Sequence, residues 1–408
     1  MKFPYPLPML LDGATGTNLI AAGMPQSACV ERWILEHPDV LQRLQREFVA
    51  AGADAVYAPT FSANAAKLAH YGLEGQVREL NLRLAALSRE AVGDSALVGG
   101  DLSPTGLFCE PFGDTPFLDL VHLYAEQALA LRDAGVDFLA IETMTSMTGM
   151  RAAILGGWHA DLPIFVTLTV DESGRTLSGA DLLAALLTAQ SMGAAAFGVN
   201  CSTGAEGMQP LFERLAPHAR VPLIAKPNAG LPDPATGAYR VSPDEMAARM
   251  APLFEAGVTI AGGCCGTTPA HLAAIGRAMR GFDFDSVQIE REEDALVVCS
   301  ETEVFYLDED FELSEPVDCE LDMTDALMDA GGEGCDAISV HLTSNEDAYC
   351  FAQNMHMASL PVSFLAETEE ALEAGLIYYN GRALIDSRSE VPRERMEELA
   401  VGYGAVLR

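Results

Sequence analysis

Positive charge is scarce in this chain. Its 408 residues carry 24 Lys and Arg against 59 Asp and Glu, a formal charge of −35. That balance excludes nucleic acid and anionic membranes as partners, because like charge repels them. Long apolar runs are lacking too: no stretch of about 18 uninterrupted apolar residues occurs, so no membrane-spanning helix is predicted. Pro4, Pro6 and Pro8 break the N-terminal stretch where a secretory signal needs an apolar helix. The chain is therefore expected in the cytoplasm. Its nine cysteines agree, being odd in number and scattered rather than set out as a disulfide framework.

Several motifs are missing as well. No Gly-x-Gly-x-x-Gly opens a helix after the first predicted strand, so the dinucleotide fingerprint is absent. No Cys-x-x-Cys occurs to support a redox pair. Residues 301–336 are rich in Asp and Glu and hold no Lys or Arg, yet lack the Asp-x-Asp-x-Asp-Gly spacing of a calcium loop. This run reads as a solvated acidic face. The shift in composition near residue 285 divides the chain into two expected domains, 1–284 and 285–408.

What is present in the first part is a repeated alternation of short apolar runs and longer amphipathic ones. Eight strands are predicted, over 8–13, 54–61, 96–104, 137–144, 163–170, 195–201, 221–230 and 258–266. Between them lie helical patterns such as that over 120–136, with Leu120, Leu123, Ala128 and Leu131 on one face and Gly135 near its end. Eight βα units in this length close most simply into a (β/α)8 TIM barrel, with a doubly wound open sheet as the alternative.

In such barrels reactive groups come from the C-terminal strand ends. Here those ends read Asp12-Gly13, Thr60, Asp101, Glu142-Thr143, Asn200-Cys201, Asn228 and Cys264-Cys265. Taken singly, Asp101, Thr143 and Thr169 read as caps of the following helices. Cys201 and the Cys264-Cys265 pair fall on strands six and eight, with one strand between, so three thiolates can converge. Soft sulfur ligands in threes suit Zn²⁺ with its fourth position open, the pattern of a catalytic site. Inert buried cysteines or a redox pair are the competing readings. Gly262, Gly263 and Gly266 are expected to supply the backbone freedom that lets consecutive cysteines aim at one ion. A zinc ion held by three thiolates is a poor Lewis acid but lowers the pKa of a bound thiol, which suggests thiol alkylation. Asp12 and Glu142, with backbone amides around Gly13, could hold an amino acid's charged groups.

At these residues the sequence resembles the homocysteine S-methyltransferase family. "LLDGATGT", "GVNC", "KPNAGLP" and "GGCCGTTPAHL" match its motifs in the family's order, over about residues 8–280. The resemblance implies a (β/α)8 barrel, with Cys201, Cys264 and Cys265 as zinc ligands and as the catalytic centre. Homocysteine would supply a fourth sulfur and take a methyl group, giving methionine. Asp12 and Glu142 would meet its ammonium, amides near Gly13 with Thr60 would face its carboxylate, and Asn228 would lie close to the metal. "APTF" at 58–61 departs from the Thr-Asn-Thr-Phe of relatives.

Residues 285–408 read as a shorter βα series, with strands in 295–307, 335–342, 360–368, 381–390 and 404–408 and a helix over 368–379. This segment resembles the first half of the pterin-binding barrel that follows the homocysteine barrel in cobalamin-dependent methionine synthase. Where relatives carry Asp-Val-Asn, Asp-Ser and Asn-Ser, it has Ser339-Val340-His341, Glu367-Thr368 and Asp386-Ser387, and folate binding is not implied. A half barrel exposes strand edges that a partner or a second copy of the chain would cover. The expected enzyme is a homocysteine S-methyltransferase whose donor is a methylcorrinoid on a partner protein, with the acidic second domain as docking site. The chain itself lacks the vitamin-binding Asp-x-His-x-x-Gly. An S-methylmethionine- or betaine-type methyltransferase and a non-catalytic zinc-binding regulatory protein are the alternatives.

Overall fold

A computed structural model describes residues 3–291, 296–332 and 334–408. Eight parallel strands, β1 (Met9–Leu10), β2 (Ala55–Tyr57), β3 (Leu97–Leu102), β4 (Phe138–Met144), β5 (Ile164–Leu168), β6 (Ala196–Asn200), β7 (Leu223–Lys226) and β8 (Val258–Ala261), each fall inside the stretch the sequence predicts. They are buried along almost their whole length, as parallel strands covered on both faces must be. Their order is β1-β8-β7-β6-β5-β4-β3-β2, a nearly closed (β/α)8 barrel. The open sheet is thereby excluded.

The joint between β1 and β2 has no regular ladder, and carboxylates span it. The Asp54 N–H donates to Leu10 O at 2.7 Å, and the Asp54 carboxylate accepts the Leu10 N–H at 2.7 Å. Further along the seam the Asp12 carboxylate accepts the Tyr57 N–H at 2.8 Å. Inside the barrel Phe138 and Phe165 stack with centroids 4.4 Å apart, among Met9, Leu11, Ile224 and Ile260. The proline-rich N-terminal segment lays Phe3 and Tyr5 against this cluster at the N-terminal strand ends, where Tyr5 Oη donates to Asp137 O at 2.6 Å. A packed floor leaves the opposite end for loops.

The chain forms two compact units, one of Met1–Leu107, Leu118–Ser178 and Ala194–Arg291, the other of Phe108–Phe117, Gly179–Gly193 and Glu292–Arg408. The second unit thus takes in the helix Leu182–Ser191, against which Cys299 packs, its Sγ 3.6 Å from Ala184 O and 3.5 Å from Thr188 Oγ1. Residues 296–307 differ from the predicted single strand of a βα unit. They form an antiparallel ribbon, β9 (Leu296–Cys299) with β10 (Val304–Leu307), because the Ser300 hydroxyl accepts the Thr302 and Glu303 N–H groups and turns the chain. After it come β11 (Val317–Asp318), β12 (Ile338–Leu342), β13 (Val362–Ala366), β14 (Leu384–Ile385) and β15 (Val406–Leu407), all parallel and in sequential order. Helices 324–332, 345–354, 369–378 and 393–403 alternate with them. This is a run of βα units over a core of Leu327, Ile338, Phe351, Phe364 and Leu372. The two-residue β11 lies outside every stretch predicted as strand.

Candidate active site

The three cysteines meet. The Sγ atoms of Cys201, Cys264 and Cys265 all lie within 4.8 Å of one another, and Cys201 Sγ is 3.5 Å from Cys265 Sγ. A tetrahedral ion at Zn–S distances of about 2.3 Å separates its sulfurs by about 3.8 Å, so the cluster could hold a metal with small adjustment. The thiols already share protons: donation from Cys201 and Cys264 pushes Cys265 down to about 3, while Cys264 is raised well above an ordinary thiol by its bonds to Cys201 and Cys265. Tyr239 lies beside the Cys265 sulfur, and its own pKa is raised, first by burial and then by the Cys265 charge.

Local backbone devices aim these sulfurs. Cys201 has φ 54°, a left-handed conformation rare outside glycine, and Thr143 on β4 has φ 60°. Asn200 clamps the two: its Oδ1 accepts the Thr143 N–H at 2.9 Å and its Nδ2 donates to Thr143 Oγ1 at 2.8 Å. Strain at both positions is held by this buried pair of bonds. Thr143 therefore does not cap the next helix, which Ser146 caps instead. In "GGCCGTT" only Gly266, at φ 80°, uses glycine's conformational freedom. A Cβ on Gly263 would lie 2.4 Å from Thr267 Oγ1, so that glycine is required for space rather than for its angles. The Thr267 hydroxyl donates to Cys264 O at 2.7 Å and accepts the Ala14 N–H at 3.0 Å, tying the cysteine loop to the β1 loop.

Beside the sulfurs is a buried set of charges. Lys226, at the end of β7, places Nζ 3.0 Å from Glu142 Oε2, 3.6 Å from Asp12 Oδ1 and 3.7 Å from the centre of the Tyr57 ring. Its burial works against its charge, but Glu142 and Asp12 among its neighbours hold it firmly protonated. Burial pushes Asp12 up to about 6 in spite of Lys226, and drives Asp101 well above the carboxylate range, with Glu142 adding to the effect. Asp101 lies within β3 and the next helix begins at Phe117, so it caps nothing. Asp12 Oδ1, Asp101 Oδ1 and Asn228 Oδ1 are buried and accept no hydrogen bond among the described residues. A buried acceptor in that state costs about 1–3 kcal/mol, so this pocket is set up to receive donors.

The structure thus brings Asp12, Glu142 and the triad together around one face. Gly13 packs tightly, its missing Cβ leaving room for Leu272 and Thr267. The hydroxyl of Thr60 is committed elsewhere, accepting the Asp101 N–H at 3.0 Å and donating to Asp101 O at 2.9 Å. Nothing in residue type or spacing singles out Lys226, Tyr57 or Tyr239. The "KPNAGLP" motif contains the lysine, and only its position next to Asn228 hints at the site. In the second unit the strand-end polar groups pair among themselves: His341 Nδ1 is 2.8 Å from Asp318 Oδ1 and its Nε2 3.4 Å from Glu367 Oε1, while Asp386 is bound by Arg388.

A parallel eight-stranded barrel that gathers thiols and buried carboxyls at its C-terminal strand ends has the active face of a barrel enzyme. The homocysteine S-methyltransferase family model matches residues 9–279, and the chain belongs to that family. Methionine synthase of Mycobacterium tuberculosis is 34% identical over 305 residues, which are 70% of this chain and 26% of that protein. Methionine synthase of Mycobacterium leprae is 34% identical over 292 residues, 66% of this chain and 24% of that protein. The chain thus matches about a quarter of the length of these relatives. Crystal structures of the homocysteine methyltransferase MmuM from Escherichia coli, in oxidized and metallated forms, share the fold with TM-scores of 0.55 and 0.56. Their identities are 23% and 24%, and each covers 66% of this chain and 95% of its own. Among the described residues no helix is long and apolar enough to cross a membrane.

Proposed function

We propose that this protein transfers a methyl group to the thiol of homocysteine, giving methionine, at a zinc ion held by Cys201, Cys264 and Cys265. The observation that carries this is the convergence of three sulfurs within 4.8 Å on the active face of a barrel of this family. The donor set is all thiolate, which suits zinc and leaves one position for a substrate sulfur. Bound there, zinc keeps the fourth thiol ionised near neutral pH. The protein's own residues do the rest. Tyr239 lies beside the Cys265 sulfur, and the Asn200–Thr143 clamp fixes Cys201. Asp12 and Glu142 offer carboxylates for the substrate ammonium. Backbone amides near Gly13 other than that of Ala14, which Thr267 holds, would face its carboxylate on a wall braced by Thr60, and Asn228 contributes an Oδ1 that accepts no hydrogen bond among the described residues.

The methyl donor is a methylcorrinoid carried by a partner protein. The second unit offers it a docking surface, a groove of about 380 Å³ lined by Glu315, Asp318, Glu320, Asp322 and Asp329 that suits a basic face. The test is to purify the protein, measure bound zinc, and supply homocysteine with methylcobalamin, S-methylmethionine or betaine in turn. Methionine from methylcobalamin is expected, and none from any donor would overturn the assignment. Cys264→Ala should lower zinc affinity by more than the roughly 10–100-fold that loss of an outer-shell partner costs, measured by chelator competition. Full zinc retention in that variant would remove Cys264 from the ligand set.

A further inference from the structure

The acidic pair expected to receive the substrate's ammonium already holds one. Lys226 Nζ has three neighbours, Glu142 Oε2 at 3.0 Å, Asp12 Oδ1 at 3.6 Å and the face of the Tyr57 ring at 3.7 Å. Two carboxylates and an aromatic face make an ammonium cage, with a hydrogen bond to Glu142, an ion pair with Asp12 and a cation–π contact with Tyr57. The ammonium is nearly enclosed: the Lys226 and Asp12 side chains are 4% and 2% exposed, and Glu142, at 13%, forms the side open to solvent. Lysine is also rarely buried unless paired, so its burial here is a property of the cage and not of the strand.

We propose that Lys226 is a specificity-determining residue that acts as an internal occupant of the ammonium cage. The inference rests on the reading that this site binds a homocysteine-like thiol. An amino thiol entering the pocket must exchange its ammonium for that of Lys226, cation for cation against the same two carboxylates and the same ring. Such an exchange is close to neutral, because each interaction the incoming ammonium makes replaces one of the same kind made by the lysine. The amino group therefore contributes little to affinity, and the sulfur and carboxylate ends do the recognition. The substrate class widens accordingly, from α-amino thiols to short thiol carboxylates that lack the amine.

The test compares homocysteine with γ-mercaptobutyrate, its counterpart without the amino group, in calorimetric titrations of the zinc-loaded full chain. The wild-type protein is expected to bind the two within about threefold of each other. Lys226→Met, which is unbranched, uncharged and one atom shorter, leaves the ammonium position empty and should shift the ratio toward homocysteine by about tenfold or more, the range of a charge-assisted hydrogen bond. A wild-type preference for homocysteine of about tenfold or more would overturn the proposal, and that measurement needs no variant. A Lys226→Met protein that binds zinc normally and leaves the ratio unchanged would overturn it too. Failure of the methyl-transfer reading looks different: near-equal binding of both thiols with no methylated product from any donor would sink that reading and leave Lys226 in its role.

Discussion

Asp12 uses its two oxygens for different ends. Oδ2 accepts the Tyr57 N–H across the seam between β1 and β2, while Oδ1 is buried beside Lys226 and accepts no hydrogen bond among the described residues. Burial raises its pKa from 3.8 to about 6. For an acid raised in this way the folded state holds its proton longer than the unfolded chain does. The stability this contributes is therefore fully present below the unfolded value and is lost as pH rises through about 6. The difference corresponds to about 3 kcal/mol at neutral pH. Asp12→Asn removes that titration and keeps the shape. Denaturation of the metal-free proteins should show the variant gaining on the wild type as pH rises from about 4 to about 7. A difference that does not change with pH would contradict the assignment.

At the scale of elements, the ends of β4 and β6 are held by one side chain. Asn200 is fully buried and makes both of its bonds to Thr143, so Asn200→Ala removes two hydrogen bonds and leaves Cys201 in a strained conformation without support. Stability should fall by about 1–3 kcal/mol in urea denaturation, and zinc affinity by about 10–100-fold in chelator competition. An unchanged zinc affinity would show that Cys201 holds its position without the clamp. All eight barrel strands are legible in the sequence, because buried parallel strands are short apolar runs bounded by glycine and polar strand ends. The triad is legible for the same reason: "GVNC" and "GGCCGTT" stand at two such ends. The clamp is not, since it pairs residues 57 apart whose meeting depends on register. Neither is Lys226, because a lysine after an apolar run usually reaches solvent and here it turns inward to Glu142. The ribbon at 296–307 escapes the pattern because Ser300 folds one apolar run back on itself, and periodicity alone does not separate one strand from two short ones.

At the scale of the whole molecule, a formal charge of −35 on 408 residues sets the chain against itself. Added salt shortens the reach of that repulsion from about 30 Å at 0.01 M to about 8 Å at 0.15 M. The melting temperature should therefore rise over that range in thermal denaturation, and a value independent of salt would mean that the acidic side chains are already compensated.

The carboxylates spanning β1 and β2 have one more consequence. A ladder of backbone bonds would isolate the barrel's closure from its contents, but at the pocket end of the seam the clasp is a side chain whose other oxygen lies in the pocket. Whatever pulls on Asp12 from inside also loads the Tyr57 N–H. The exchange rate of that single amide hydrogen therefore becomes a native gauge of whether the pocket is filled.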